Sequence, residues 1–427
     1  MRTGHRELIR DMNRSLVLNL VRERGSLSRA QLARLSGLSP STITAITADL
    51  LDTRFLLEEG GALGGADVVR GLGRPATPLR VNPTAGYVVG IKVTSDDLAA
   101  TLTDLEATPR AFVTVPRGRE ADSESVAELF AAAVDRLCTS AGADGASILG
   151  VGIGVPGVVD PATRRVALSP LLEWSHLDLV AILSDRLGLP VHLDNDVNTL
   201  TIAEQLFGAG RELQHFMVVT IGRGIGMGAV LNGSVYRGAS GGAGELGHVT
   251  VVPDGRRCWC GRRGCLEAVA AEPALVREVK AMTGRLIAPE ALAAAAIADE
   301  RIAAILARAG RMVGDAIVNA ATVLDPERVI VSGEGVRLGP AYLDALREAV
   351  VKRTDWKEAL AGAAVERWTP VIEPWGDDAW ARGAATLVLR ELFHPAHLRD
   401  EAGAASSVPE ERGGRRTLAR VGRGGTR

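Results

Sequence analysis

Three of the four cysteines, Cys258, Cys260 and Cys265, fall within eight residues, and His248 precedes them. The pattern His-x9-Cys-x-Cys-x4-Cys offers one imidazole and three thiolates, the ligand set of a tetrahedral structural Zn2+ site. Gly261 and Gly264 give the intervening loop the freedom to fold round an ion. All four positions are filled by protein, so the expected metal is a structural staple with no open place for water. The chain begins MRTGHRELIRDMNR, without an apolar export stretch. Clustered cysteines in that setting favour metal over a disulfide. Cys138, alone in an Ala/Leu-rich helical stretch, is expected in a core. No run of eighteen apolar residues appears, so no membrane span is expected and the cytoplasm is the expected compartment.

The elements that must position this cluster belong to a long chain of uneven charge. At 427 residues, 46% hydrophobic and 23% charged, two or three globular domains are expected. Residues 1–80 hold 12 Arg against 8 acidic residues, and residues 396–427 hold 7 Arg against 4. The stretch between them carries 30 basic and 39 acidic residues. A basic head on an acidic body suits a polyanionic partner for the head alone.

From Leu8 to Val21, Leu8, Met12, Leu16 and Leu20 recur every four residues, the stripe of an amphipathic helix. Ala30, Leu32, Ala33 and Leu35 predict a short second helix and Gly37 a turn. Ser39 is placed to cap a third helix that opens on Pro40. That helix is expected to bury Ile43, Ile46 and Leu50 and to expose Ser41, Thr42, Thr44 and Thr47. Short helix, glycine turn and a helix with small polar residues near its start describe a helix-turn-helix. Strands at Phe55–Glu58 and Pro78–Val81, joined by a Gly-rich connection carrying Arg70 and Arg74, would form a wing, so residues 1–82 read as a winged helix-turn-helix domain.

Beyond Tyr87 the pattern turns to α/β. YVVGIKV, LAATLTDL and AFVTV predict three strands, followed by a helix at 124–140 and the strand ILGVGIGVPG. FMVVTIGRGIG, MGAVLNG and GHVTVV predict a second trio, followed by helices at 271–283 and 300–323, the strand RVIVSG and a helix at 340–352. Two copies of one theme suggest a duplicated fold with a cleft between lobes. After residue 396 large apolar residues nearly vanish, and a disordered basic tail is expected.

The segment GAGELGHVTVVPDGRRCWCGRRGCLEAVA resembles the signature of the ROK family of repressors, open reading frames and sugar kinases. VGIGVPGVVD, LDNDVNTLTIAEQLFG and VVTIGRGIGMGAVLNGSVYRGASGGAGELGH extend the likeness over residues 83–395. The resemblance implies a two-lobed, actin-like (RNase H-like ATPase) sugar-kinase fold. It implies a sugar bound between lobes by Asn195 and Asp196 of the DND segment, Glu245 and His248 of the E-x-G-H motif, and Glu267. Carboxylates and amides suit a polyhydroxylated ring. His248 would hold zinc through one ring nitrogen and meet sugar with the other.

The family's kinases cradle ATP phosphates with an Asp-x-Gly-Gly-Thr loop. Here Lys92 replaces the aspartate, Thr94 and Ser95 the glycines, and Asp96 the threonine. Glycines there let backbone approach phosphate, and an aspartate at the loop tip repels it. TIGRGIG carries Arg223 where kinases have threonine. Asp196, the family's base, remains, but as a vestige without a phosphoryl donor. The resemblance thus points to the regulator branch: a sugar- or sugar-phosphate-responsive repressor of carbohydrate genes, a homodimer or homotetramer on operator DNA, and not an enzyme. Ser41, Thr42 and Thr44 would lie near base edges, with the cap Ser39 also among the DNA-binding residues, Arg29 and Arg34 on phosphates, and Arg74 of the Gly73–Arg74–Pro75 segment in a minor groove. Two other readings stay open at this point, a sugar kinase with an appended head and a sugar-binding scaffold with a vestigial one.

Overall fold

The computed structural model describes residues 2–59, 77–118, 122–142, 147–361 and 368–393. Three helices, α1 (Arg2–Arg24), α2 (Arg29–Ser36) and α3 (Pro40–Asp52), precede an antiparallel ribbon of β1 (Leu56–Glu58) and β2 (Leu79–Val81). Ser28 and Gln31 cap α2 reciprocally, and Gly37 ends it at φ 69°, a conformation that costs glycine little. Ser39 accepts a hydrogen bond from the Thr42 amide and Pro40 opens α3, as the spacing predicts. Leu32, Ile43, Leu50, Leu56 and Leu79 bury completely against Val17 and Val21 of α1. Helix, helix, turn, helix and ribbon follow one another in the order expected of a winged helix-turn-helix.

Thr47 departs from expectation. Its side chain is buried, its hydroxyl donating to the Ile43 carbonyl at 2.8 Å and accepting from Arg29 Nε at 3.2 Å. Local satisfaction of the hydroxyl is what admits a threonine to this core. The connection holding Arg70, Gly73, Arg74 and Pro75, and the basic tail from 396, lie outside the described residues.

The remainder is built on two five-stranded sheets. In the first, β3 (Tyr87–Val93), β4 (Asp97–Asp104) and β5 (Pro109–Pro116) run antiparallel. Helix α4 (Ser123–Ala141) returns the chain so that β6 (Ile148–Val155) lies parallel to β3. A small sheet of β7 (Val158–Val159), β8 (Val166–Ser169) and β9 (Trp174–Leu177) follows, then α5 (Leu179–Leu187) and β10 (Val191–Asn195), parallel to β6. The strand order is β10-β6-β3-β4-β5.

After α6 (Asp196–Phe207) the second sheet repeats the scheme. Here β11 (Phe216–Ile221), β12 (Ile225–Leu231) and β13 (Ser234–Val235) are antiparallel. Helices α7 (Leu266–Ala270), α8 (Glu272–Thr283), α9 (Leu292–Ala298) and α10 (Glu300–Leu324) lead to β14 (Arg328–Ser332). After α11 (Pro340–Ala361), β15 (Val371–Ile372) completes the order β13-β12-β11-β14-β15, with β14 and β15 parallel. Three antiparallel strands and then two parallel ones, twice over, is the duplication that the sequence suggests. One strand is misplaced in that reading: GHVTVV is a 3-10 turn over Leu246–His248 and then loop, with only Thr250 bridging Cys265. Its place in the sheet is taken by β13.

Helix α12 (Asp377–Phe393) returns from the second lobe to cover the first sheet. Gly90 on β3 and Gly152 on β6 permit this, because a Cβ at either would stand 1.9 Å from a carbonyl oxygen of Ala381 or Ala384. The helix also packs on α6. Its end, Val388, Leu389 and Phe393, is buried in the same apolar cluster as Val17, Leu18 and Val21 of α1. The Arg22 guanidinium lies 5.2 Å from the Phe393 ring centroid. The core of the N-terminal head is therefore continuous with the first lobe.

Candidate functional site

The four expected metal ligands converge as their spacing requires. One ligand atom each from His248, Cys258, Cys260 and Cys265 lies within 4.8 Å of all the others. Cys258 Sγ stands 3.6 Å from His248 Nδ1, and the sulfurs of Cys260 and Cys265 are 3.6 Å apart. Tetrahedral bonds of about 2.3 Å to sulfur separate ligand sulfurs by about 3.8 Å. The cluster is thus dimensioned to hold a metal ion. The Cys258 amide donates to Arg262 O, and the Gly264 amide to Arg256 O, a tight loop that needs no strand to hold it.

The opposite ring nitrogen of His248 faces Glu245, Nε2 to Oε2 at 3.7 Å. Trp259 meets the His248 ring edge to face at 4.6 Å and donates its indole N–H to Glu267 Oε1 at 2.5 Å. Glu267 Oε2 accepts from the Ile225 amide at 3.4 Å, which ties α7 to β12. Burial pushes the Glu245 carboxyl up, His248 pulls it down, and the nearby Glu267 charge pushes it up again.

Strand β12 is where the remaining groups meet. Its Met227 amide donates to Gly244 O, beside Glu245, and its Gly226 approaches Val197, beside Asp196. Asn195 caps α6 by accepting from the Asn198 amide at 3.1 Å and donates its Nδ2 to Gly157 O at 2.8 Å. The preceding Asp194 is structural, with its second oxygen held by Nε and Nη2 of Arg237 at 2.8 and 2.5 Å. Asp196 is different. One oxygen accepts from the Val197 amide at 2.9 Å. Its pKa is pushed up to about 6, by burial first, against the attraction of Lys92, with the Glu334 charge adding to the rise.

Lys92, expected to replace the kinase aspartate, carries a buried ammonium. It donates to Asp377 at 2.7 Å and to Glu334 at 3.2 Å, and lies 4.2 Å from the Trp380 ring centroid. Burial works to lower its pKa, and the charges of Glu334 and Asp377 outweigh it, leaving the ammonium above its ordinary value. Glu334 follows β14 in the second lobe and Asp377 opens α12, so this one side chain ties strand β3 to both. Nearby, Arg223 at the tip of the β11–β12 hairpin donates to Ser95 and Asp96 at the tip of the β3–β4 hairpin. The tips of the two hairpins thus grip each other.

On the head, Ser41 and Thr44 are exposed and Thr42 half-buried, and the Thr44 hydroxyl donates to Pro40 O at 2.8 Å. Ser39 is exposed but its oxygen is shared among Thr42 N, Thr42 Oγ1 and Ser41 Oγ. Arg34 is exposed, whereas Arg29 pairs with Glu58 at 2.9 Å and braces Thr47. Arg74 lies outside the described residues.

Sequence reasoning missed the Lys92–Glu334–Asp377 cluster and the Arg223–Asp96 clasp. Partners of Lys92 lie 242 and 285 residues away, so only the fold brings them together. The two changed hairpin tips were visible in sequence, and their opposite charges were the one available hint. A xylose repressor of Caldicellulosiruptor bescii is 29% identical over 369 residues, 82% of this chain and 90% of that protein. The crystal structure of a ROK family transcriptional regulator, a homologue of the E. coli MLC protein, aligns over 92% of this chain and 98% of its own, with TM-score 0.77 at 26% identity. A ROK family glucokinase from Streptomyces griseus, solved with glucose and AMPPNP, aligns over 71% and 99% with TM-score 0.60 at 28% identity. Residues 88–391 match the model of the ROK family, and the chain belongs to that family.

Proposed function

We propose that this protein is a sugar-responsive DNA-binding repressor, zinc-stapled, in which ion pairs between the lobes stand where the family's kinases hold nucleotide. The observation that carries this reading is the pair of contacts Lys92–Glu334 and Arg223–Asp96, set where two phosphate-binding hairpins would open onto ATP. A carboxylate at the loop tip repels a triphosphate, and Lys92 and Arg223, already paired with Glu334 and Asp96, have less charge to offer it. The repressor relative and the regulator structure, which align over 82% and 92% of this chain, support the same branch.

Asn195, Asp196, Glu245, His248 and Glu267 would take the sugar, as acceptors and donors for neighbouring hydroxyls. His248, Cys258, Cys260 and Cys265 would hold Zn2+. When bound, the ion supplies rigidity to the loop that carries Trp259 and leads into Glu267, and fixes the His248 ring so that Nε2 faces the cleft. Ser41, Thr42 and Thr44 on α3 would face the major groove, with Arg34 on phosphate, in a dimer reading two half-sites. Transmission runs through packed elements: Asp196 starts α6, α6 packs on α12, and α12 ends in the core of the head. A sugar that binds the DNA-incompetent arrangement more tightly releases the operator.

The reading is tested by incubating zinc-loaded protein with Mg-ATP and a panel of hexoses and pentoses. No sugar-dependent ADP is expected, and ATP titrated alone should give no binding heat. Sugar-dependent ADP formation would reassign the chain to the kinases, with Asp196 as its base.

A further inference from the structure

A cavity of about 310 Å³ opens between the metal loop, the start of α8 and the tip of the β11–β12 hairpin. That is space for roughly ten waters at ~30 Å³ each. Four guanidinium-bearing residues line it, Arg223, Arg256, Arg257 and Arg277, against the single carboxylate of Glu267. Glu267 is already engaged by Trp259 and the Ile225 amide. Among the described residues no carboxylate pairs with Arg256, Arg257 or Arg277, all three of which are exposed. Desolvation by the pocket wall, and second the Arg256 charge, hold Arg277 below the ordinary guanidinium value. Three of the four cations round this concavity have no carboxylate of their own, which suits an anion, and guanidinium forks match phosphate oxygens. Trp259, more than half exposed on the rim, offers an apolar ring face beside Glu267.

We infer that this pocket is a phosphate subsite, taking the phosphomonoester of a phosphorylated carbohydrate whose ring reaches Glu267. The inference deepens the sugar-responsive reading and rests on it for the nature of the ring. Arg223 belongs to both the pocket and the inter-lobe clasp, so a bound phosphate competes with Asp96 for the same guanidinium.

The test is calorimetric titration of full-length, zinc-loaded protein with inorganic phosphate, then with glucose and glucose 6-phosphate. Phosphate is expected to bind at one site and to weaken about tenfold or more in Arg256→Ala/Arg277→Ala, since each charged hydrogen bond removed is worth that much. Zinc content and melting temperature of this surface variant should stay as in the wild type. Asp96→Asn, which frees Arg223, should tighten phosphate binding. Absence of binding heat up to about 10 mM phosphate, or equal affinity in wild type and double variant, overturns the subsite. Glucose 6-phosphate binding no tighter than inorganic phosphate overturns the carbohydrate ester and leaves a free-anion site. Phosphate binding in a protein whose DNA affinity ignores every sugar defeats the repressor reading alone, whereas a sugar response without phosphate binding defeats the subsite alone.

Discussion

Asp196 and Lys92 show how one exchange of residue changes what a cleft can hold. An acid whose pKa rises on folding stabilises the fold below its unfolded value of 3.8, and that contribution is lost as pH climbs through about 6. At neutral pH the protein therefore carries the cost of an ionised, half-buried Asp196. Asp196→Asn should melt higher than wild type at about pH 8, with the gap closing as pH falls toward 4, while sugar affinity drops. Differential scanning calorimetry across pH checks the first part. A variant that melts lower at pH 8 would mean that attraction to Lys92 exceeds the burial cost. At the metal cluster, Cys258→Ser should abolish stoichiometric metal. Structural zinc supplies several kcal/mol and each is worth about 1 °C in a chain of 427 residues, so melting should fall by about 5 °C. Metal analysis with a melting curve measures both.

At the scale of elements, α12 and α3 carry the argument. Phe393→Leu loosens the joint between α12 and α1 at a cost of about 1 kcal/mol. The expected result is sugar binding and DNA binding each preserved, with the effect of sugar on DNA reduced. Unchanged coupling would place the signal path elsewhere. Ser39→Ala removes the cap of α3, costs about 1 kcal/mol and should speed amide exchange in its first turn. Elements such as α3 were legible because cap, proline and apolar period agree within a dozen residues. The metal ligands were legible for the same reason of local spacing. GHVTVV was misread because its alternation imitates a strand, while the loop's hydrogen bonds go to Gly264 and Val249 carries Leu266. Thr47 was misread because its hydroxyl is satisfied by its own helix and by Arg29, which hydropathy alone does not register. The Lys92 cluster joins three elements distant in sequence, and no local pattern announces it.

At the scale of the molecule, one five-stranded scheme occurs twice, and the second copy returns α12 to the first. That return ties the cleft to the head: Lys92 grips the start of α12 at Asp377, and the head's core encloses its end at Phe393. The basic head predicts DNA affinity that falls steeply with salt, with a log–log slope near the number of phosphates neutralised. The central claim is that occupation of the cleft by a carbohydrate, without phosphoryl transfer, sets the affinity of the head for DNA. It is met most directly by fluorescence anisotropy of the zinc-loaded protein on a genomic fragment that it retains, titrated with a sugar panel in the presence and absence of Mg-ATP. The account predicts that one sugar or sugar phosphate weakens DNA binding about 5- to 150-fold, equally with and without nucleotide. DNA affinity indifferent to every sugar, or a sugar effect that requires ATP, would contradict it.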